Sequence, residues 1–224
     1  MIINNQSKRS TYYTHGFHPY PAKFTPQIVN KYFNLYCKPG FKVLDPFCGS
    51  GTVLVEGVLN GLDSVGIDLN PIAYIISRAK TNHYSSEELK IVKNFIAGFP
   101  VQQSLDFFLK IIRIPDSDAL VHNFPNHNHW FQSNVSKELT ILKEKINKIE
   151  NAKIKDLLLC AFSKIIVKVS NQDSEVRYTA KEKNHPDGIV FSSFVATVLN
   201  YLKVLGSNEN INLAKVEVYN GDAY

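Results

Sequence analysis

Eight residues at the end of a short apolar run carry the densest chemistry in the sequence: Asp45, Pro46, Phe47, Cys48, Gly49, Ser50, Gly51 and Thr52. Two glycines let the backbone turn sharply and come close to a ligand. The turn opens a helix, whose first amides favour polar or anionic groups. No lysine follows Gly51, so the turn is not a phosphate-binding P-loop. The third glycine of a dinucleotide fingerprint would fall on Leu54. An aspartate ahead of the turn repels phosphate and suits a cationic ammonium. Asp68 lies 17 residues past Gly51, at the end of the next strand-like run. A carboxylate there can accept both hydroxyls of a ribose. Alone, Asp68 reads as a cap before a helix. Beside the glycine turn it points to an adenosine ligand that carries an amino acid. S-adenosylmethionine fits that description, and a nicotinamide cofactor fits less well.

The elements that must hold these residues are legible around them. Pro19 and Pro21 keep residues 1–24 irregular. Thr25 is placed to cap a helix with Pro26 in its first position, followed by Ile28, Val29, Tyr32, Phe33 and Tyr36 at helical spacing. Lys38-Pro39-Gly40 stops it. Phe41 to Asp45 reads as a short buried strand, TVLVEGVLNG as a helix ended by Gly61, and DSVGID as a second strand. Asn70 caps a further helix with Pro71 at its start. Strand, helix, strand, helix is the pattern of a parallel α/β sheet. Helices are then expected near 87–97, 104–112, 136–149, 154–169 and 191–206, and AKVEVYNGDAY alternates like a last strand. This divides the chain into a part that carries the turn and Asp68 (1–80), a mostly helical insertion (81–210), and a third strand with the residues that follow it (211–224).

The chain has 224 residues, 44% of them apolar and 20% charged, an ordinary globular mix. No run of 18 apolar residues suggests a membrane span, and no apolar leader opens the sequence, so the chain reads as cytoplasmic. Three cysteines without a C-x-x-C pair exclude a disulfide scaffold and a cysteine zinc site. The net charge is +5, and residues 1–44 hold six bases and no acid. Aromatic residues are interleaved there, and Lys8 and Arg9 are the candidates for nucleic-acid phosphates; the same charge also suits a plain solvated surface. His122, His127 and His129 near Trp130 have poor metal spacing, so no metal site is expected. Cys48, inside the turn, reads as a small packed residue, not a nucleophile. The basic run from Lys137 to Lys168 reads as a solvated helix face. Arg177 and Tyr178 fall on a polar loop, where a substrate contact and a surface turn are equally open.

HGFHPYPAKFTPQI, VLDPFCGSGTVLVEG and VGIDLNPIAYIISRAKT resemble the opening blocks of DNA methyltransferases that modify exocyclic amino groups. NGDA near the end resembles the next block, and VKVSNQDSEVRYT a segment common in one branch of this group. The resemblance implies a partial doubly wound, Rossmann-like methyltransferase sheet with a large helical insertion. It implies S-adenosyl-L-methionine as cofactor and DNA as substrate. Lys23 and Phe24 would lie against the methionine end, Asp45 would face the ammonium, and Pro46 to Thr52 would line the turn. Asp68, with Asn70 in the same block, would hold the ribose, and Asp222 with Ala223 would meet the adenine.

That family transfers its methyl group with a (D/N/S)-P-P-(Y/F) tetrapeptide. A polar side chain and a backbone carbonyl accept the amine protons, and an aromatic ring stacks on the flipped base. All ten prolines here are isolated, so this chain assigns no catalytic residue. The expectation is a cofactor half from a restriction-modification system, whose catalytic half sits on a second polypeptide. RNA guanine methyltransferases share the glycine block but usually carry an RNA-binding domain ahead of it, for which 44 residues leave little room. A catalytically dead cofactor-binding module is the remaining reading.

Overall fold

The computed structural model describes residues 9–21, 23–99, 126–174, 177–207 and 214–223. The expected helix at 104–112, Lys8 and His122 lie outside them. The chain forms two compact units, Met1–Ser86 with Tyr201–Tyr224, and Glu87–Asn200.

The first unit is an open parallel α/β sheet of Rossmann type. A 3-10 turn at Tyr13–Gly16 leads to α1 (Pro26–Tyr36), β1 (Lys42–Asp45), α2 (Thr52–Asn60), β2 (Asp63–Asp68) and α3 (Pro71–Thr81). Pro26 starts α1 as expected, but Thr25 gives no side-chain cap; its backbone carbonyl instead accepts from Ile28 N. Asn70 does cap α3, accepting from Ile72 N at 2.9 Å. The short 3-10 turn replaces the fully irregular start expected there. Phe17, which follows it, is buried with its ring stacked on Tyr201 at 4.0 Å, and Tyr201 donates to the Phe17 carbonyl.

The sheet order is β1-β2-β3, all parallel, with β3 at Val216–Asn220. Gly57 lies against Ser64, and Gly66 against Leu54 and Cys48, so α2 packs tightly on one face of β2. Alternation turns Val65 and Ile67 to the other face. Their register partners there include Leu44, 63% exposed, and Tyr219, 52% exposed. This corrects the buried strand expected at Phe41–Asp45. It runs from Lys42, and it is half exposed because among the described residues it stands at the sheet edge with one neighbour and an open face.

The second unit is helical. Its members are α4 (Ser86–Ala97), α5 (His127–Trp130), α6 (Ser133–Asn147), α7 (Ala152–Val169) and most of α8 (Ile189–Gly206). Leu142 and Ile146 of α6 and Ile154, Leu157 and Leu158 of α7 are buried, as the helical spacing requires. Phe95, Phe99, Phe191 and Phe194 form a ring cluster. α8 is as long and apolar as a membrane span, but Val190, Phe191, Phe194 and Val198 are buried as a core helix requires. Glu138 is buried and accepts from Gly188 N at 2.6 Å and Val190 N at 3.0 Å, satisfying amides that open α8. Burial pushes its carboxyl pKa up, against the pull of those two amides.

Candidate cofactor site

The two strand ends and the turn between β1 and α2 converge in the first unit. Gly49 and Gly51 sit at φ +50° and +75°, in the left-handed region. At Gly51 a Cβ would meet the Ser77 Cβ at 2.9 Å, so α3 backs the turn too closely for a side chain. Gly51 N donates to the Cys48 carbonyl at 2.8 Å, and Val55 N to the Gly51 carbonyl at 2.9 Å. Asp68 reaches across from β2: its Oδ2 accepts from Gly49 N at 2.7 Å and its Oδ1 from Asn70 N at 2.9 Å. Each oxygen keeps a second lone pair for a ligand hydroxyl.

Asp45 is half-buried at the end of β1 and accepts from Phe47 N at 3.2 Å. Burial raises its pKa, and the nearby Asp68 charge adds to the rise. Two carboxylates sharing one turn favour a cationic ligand group. Cys48 is buried, and its thiol is pushed up to about 12 by burial and then by Asp45 and Asp68. A thiol so raised is protonated at neutral pH and is no nucleophile. Ser50 is 1% exposed, and its Oγ has no hydrogen-bond partner, a polar atom left for a ligand in the turn.

The third strand brings its end to the same place. Gly221 N donates to the Asp68 carbonyl at 3.1 Å, and Asn220 Nδ2 to the same carbonyl at 2.9 Å. Asp222 and Ala223 follow Gly221 in the chain, with Asp222 exposed. Pro46 and Thr52 flank the turn, and Phe47 projects outward. Lys23 and Phe24 are exposed and stand ahead of α1. Arg9 is exposed as well.

Three residues joined to this site were not singled out for it by sequence reasoning. Tyr20, inside the HPYPAKF stretch, lies over the turn: a Gly49 Cβ would meet its ring at 3.4 Å, and its hydroxyl accepts from Asn70 Nδ2 at 3.1 Å. Lys80 on α3 is 1% exposed and donates to the Ser50 carbonyl at 3.0 Å. Glu56 on α2 is fully buried and accepts from Tyr12 at 2.5 Å, His15 Nε2 at 2.8 Å and Asn30 at 3.0 Å. It ties the N-terminal segment and α1 to the helix that the turn opens. Burial lowers the His15 pKa, against the opposing pull of Glu56 and with help from Lys80 and Lys23. His15 is thus a neutral ring, which must carry its proton on Nε2 to reach a carboxylate. The one sequence signal for Glu56 was its place as a lone acid in an otherwise apolar helix. In the second unit, His127 is buried and bonds Ser136 at 3.2 Å. Among the described residues no cluster of three His, Cys, Asp or Glu side chains is arranged for a metal.

A turn between two strand-end carboxylates, with a third strand end beside it, is the frame that comparison with known proteins meets. Residues 2–79 match the DNA methylase family. The chain is 33% identical to Type II methyltransferase M.MvaI of Kocuria varians over 76% of its length and 37% of the relative's. It is 29% identical to Type II methyltransferase M.MjaII of Methanocaldococcus jannaschii over 79% of its length and 32% of the relative's. A tRNA (guanine(10)-N2)-dimethyltransferase of Methanothermobacter thermautotrophicus is 28% identical over 39% of the chain and 26% of its own length. The chain thus spans about a third of the two Type II relatives. No solved structure matches. S-adenosylmethionine is the methyl donor of the DNA methylase family.

Proposed function

We propose that the chain is the S-adenosylmethionine-binding portion of a DNA methyltransferase acting on an exocyclic amino group of adenine or cytosine, within a restriction-modification system. One observation carries this reading: Asp68 and the glycine turn meet in one hydrogen-bonded frame, with Asp45 and the end of β3 beside it. Asp45 faces the ligand's ammonium, and Gly49 to Thr52 line its methionine half. Asp68 takes the ribose hydroxyls on its remaining lone pairs, with Asn70 holding that carboxylate in place. Asp222 and Ala223 meet the adenine, and Lys23 with Phe24 closes the methionine end. Bound there, S-adenosylmethionine supplies an electrophilic methyl group. Its target is DNA, which places the work in the cytoplasm.

The amine-activating tetrapeptide does not occur in these residues. The edge of β1 is where the strands bearing it would add, and the open sheet face at Leu44 and Tyr219 is where their helices would pack. We assign them to a second polypeptide. The test is methyl transfer from labelled cofactor to duplex DNA, by the chain alone and with a polypeptide carrying the tetrapeptide. Transfer only in the mixture supports the reading, and robust transfer by the chain alone refutes the division of labour. Lys8 and Arg9 are proposed to meet DNA phosphates. Replacing both by alanine should reduce the salt slope of log affinity by about 0.9 per contact. The match to the tRNA enzyme favours a second reading, methylation of a guanine amino group in RNA. Transfer to tRNA in preference to DNA would establish it.

A further inference from the structure

We infer that Lys80 is a positioning residue that locks the Ser50–Gly51 peptide of the glycine turn, and so sets the turn's fit to the amino-acid half of its ligand. The inference rests on the cofactor reading above. Lysine is among the residues least often buried, and a buried ammonium is costly unless hydrogen-bonded. Lys80 sits in the last turn of α3, where a long side chain ordinarily reaches out to water. Here it is 1% exposed, and its Nζ donates to the Ser50 carbonyl at 3.0 Å.

The same planar peptide is held at its other end, because Gly51 N donates to the Cys48 carbonyl at 2.8 Å. A peptide next to glycine flips readily, since glycine accepts either sign of φ. A flip here would turn the Ser50 carbonyl away from Lys80 and break the Gly51 amide's bond to Cys48. The ammonium opposes that flip from below the turn. Lys80 is itself fixed: Thr14, fully buried, donates its hydroxyl to the Lys80 carbonyl at 2.9 Å. Ser50 Oγ, the buried hydroxyl without a partner, belongs to the residue whose carbonyl Lys80 holds. The N-terminal segment, α3 and the turn thus meet at one lysine.

The experiment is calorimetry on the full chain with two probes, S-adenosylhomocysteine and 5′-methylthioadenosine, which lacks the amino-acid part. Lys80→Met should bind S-adenosylhomocysteine at least tenfold more weakly while holding methylthioadenosine within twofold of wild type. Loss of both in parallel, or of neither, overturns the role of Lys80. Failure of the wild type to bind either probe refutes the cofactor reading itself. If Lys80→Met does not fold, the wild type decides. A slowly exchanging lysine ammonium resonance should move with S-adenosylhomocysteine and stay with methylthioadenosine. The same response to both probes, or none, overturns the inference.

Discussion

Replacing Gly51 by alanine tests how closely α3 backs the turn, and Gly61 supplies the internal reference. Both glycines have left-handed φ, +75° and +68°. Forcing an alanine into that region costs about 1–2 kcal/mol. A Cβ on Gly61 meets nothing within 4 Å, so Gly61→Ala shows the backbone cost alone. The lost freedom of the unfolded chain returns about 0.4–1 kcal/mol, leaving a net near 1 kcal/mol. A Cβ on Gly51 meets Ser77 Cβ at 2.9 Å and Cα at 3.1 Å. Those are helix atoms, not the tip of a flexible side chain. Relieving the overlap moves α3 or the turn, an overpacking cost of about 1–3 kcal/mol. Gly51→Ala should therefore destabilise by about 2–4 kcal/mol, clearly beyond Gly61→Ala. Hydrogen exchange of the Val65 and Ile67 amides in β2 reads this unit separately from the helical one. Equal losses for the two variants would show that α3 does not press on the turn.

Asp68→Ala should weaken S-adenosylmethionine about tenfold or more, since a lost buried acceptor costs about 1–3 kcal/mol; equal affinity by calorimetry rejects its ribose role. His15 has a lowered pKa when folded, so below its ordinary 6.5 the unfolded chain binds the extra proton and the folded chain does not. The stability margin of wild type over His15→Gln should then shrink as pH falls from 7 to 5, and a margin that widens contradicts the neutral ring. Glu138→Ala leaves two amides at the start of α8 without their acceptor and should cost about 2–3 kcal/mol. Urea titration followed by the lone tryptophan, Trp130 in the same unit, measures it, and a change below 0.5 kcal/mol would show water serving those amides instead.

Local signals carried most of the first unit. Pro26, the Asn70-Pro71 pair and Gly61 mark helix ends through fixed backbone preferences, and each end falls where those residues place it. Asp45, the glycine turn and Asp68 were legible because spacing along a strand–turn–helix unit fixes their meeting. The exposure of β1 was not legible from KVLD, because whether an apolar strand is covered depends on its neighbours in the sheet. Lys80 lies on an amphipathic helix, where a lysine ordinarily marks the wet face; its burial is set by Thr14 and Ser50, far away in sequence. Tyr20 was read as part of an aromatic, basic stretch, and its place over the turn comes from the Asn70 side chain.

The pairing of β2 with β3 has a consequence for synthesis. Asp68 and Asn220, joined at the ends of these strands, are 152 residues apart, while β1 pairs with β2 across a single helix. Closing a loop roughly sevenfold longer adds about 1.7 kcal/mol of chain entropy. Translation at about 5–20 residues per second delivers the third strand about 8–30 s after the second. During that interval β2 leaves the ribosome with one edge unpaired, while the contiguous helical unit is free to complete its own core. Slower elongation lengthens the interval in proportion, so the yield of soluble chain should track translation speed between Asp68 and Val216.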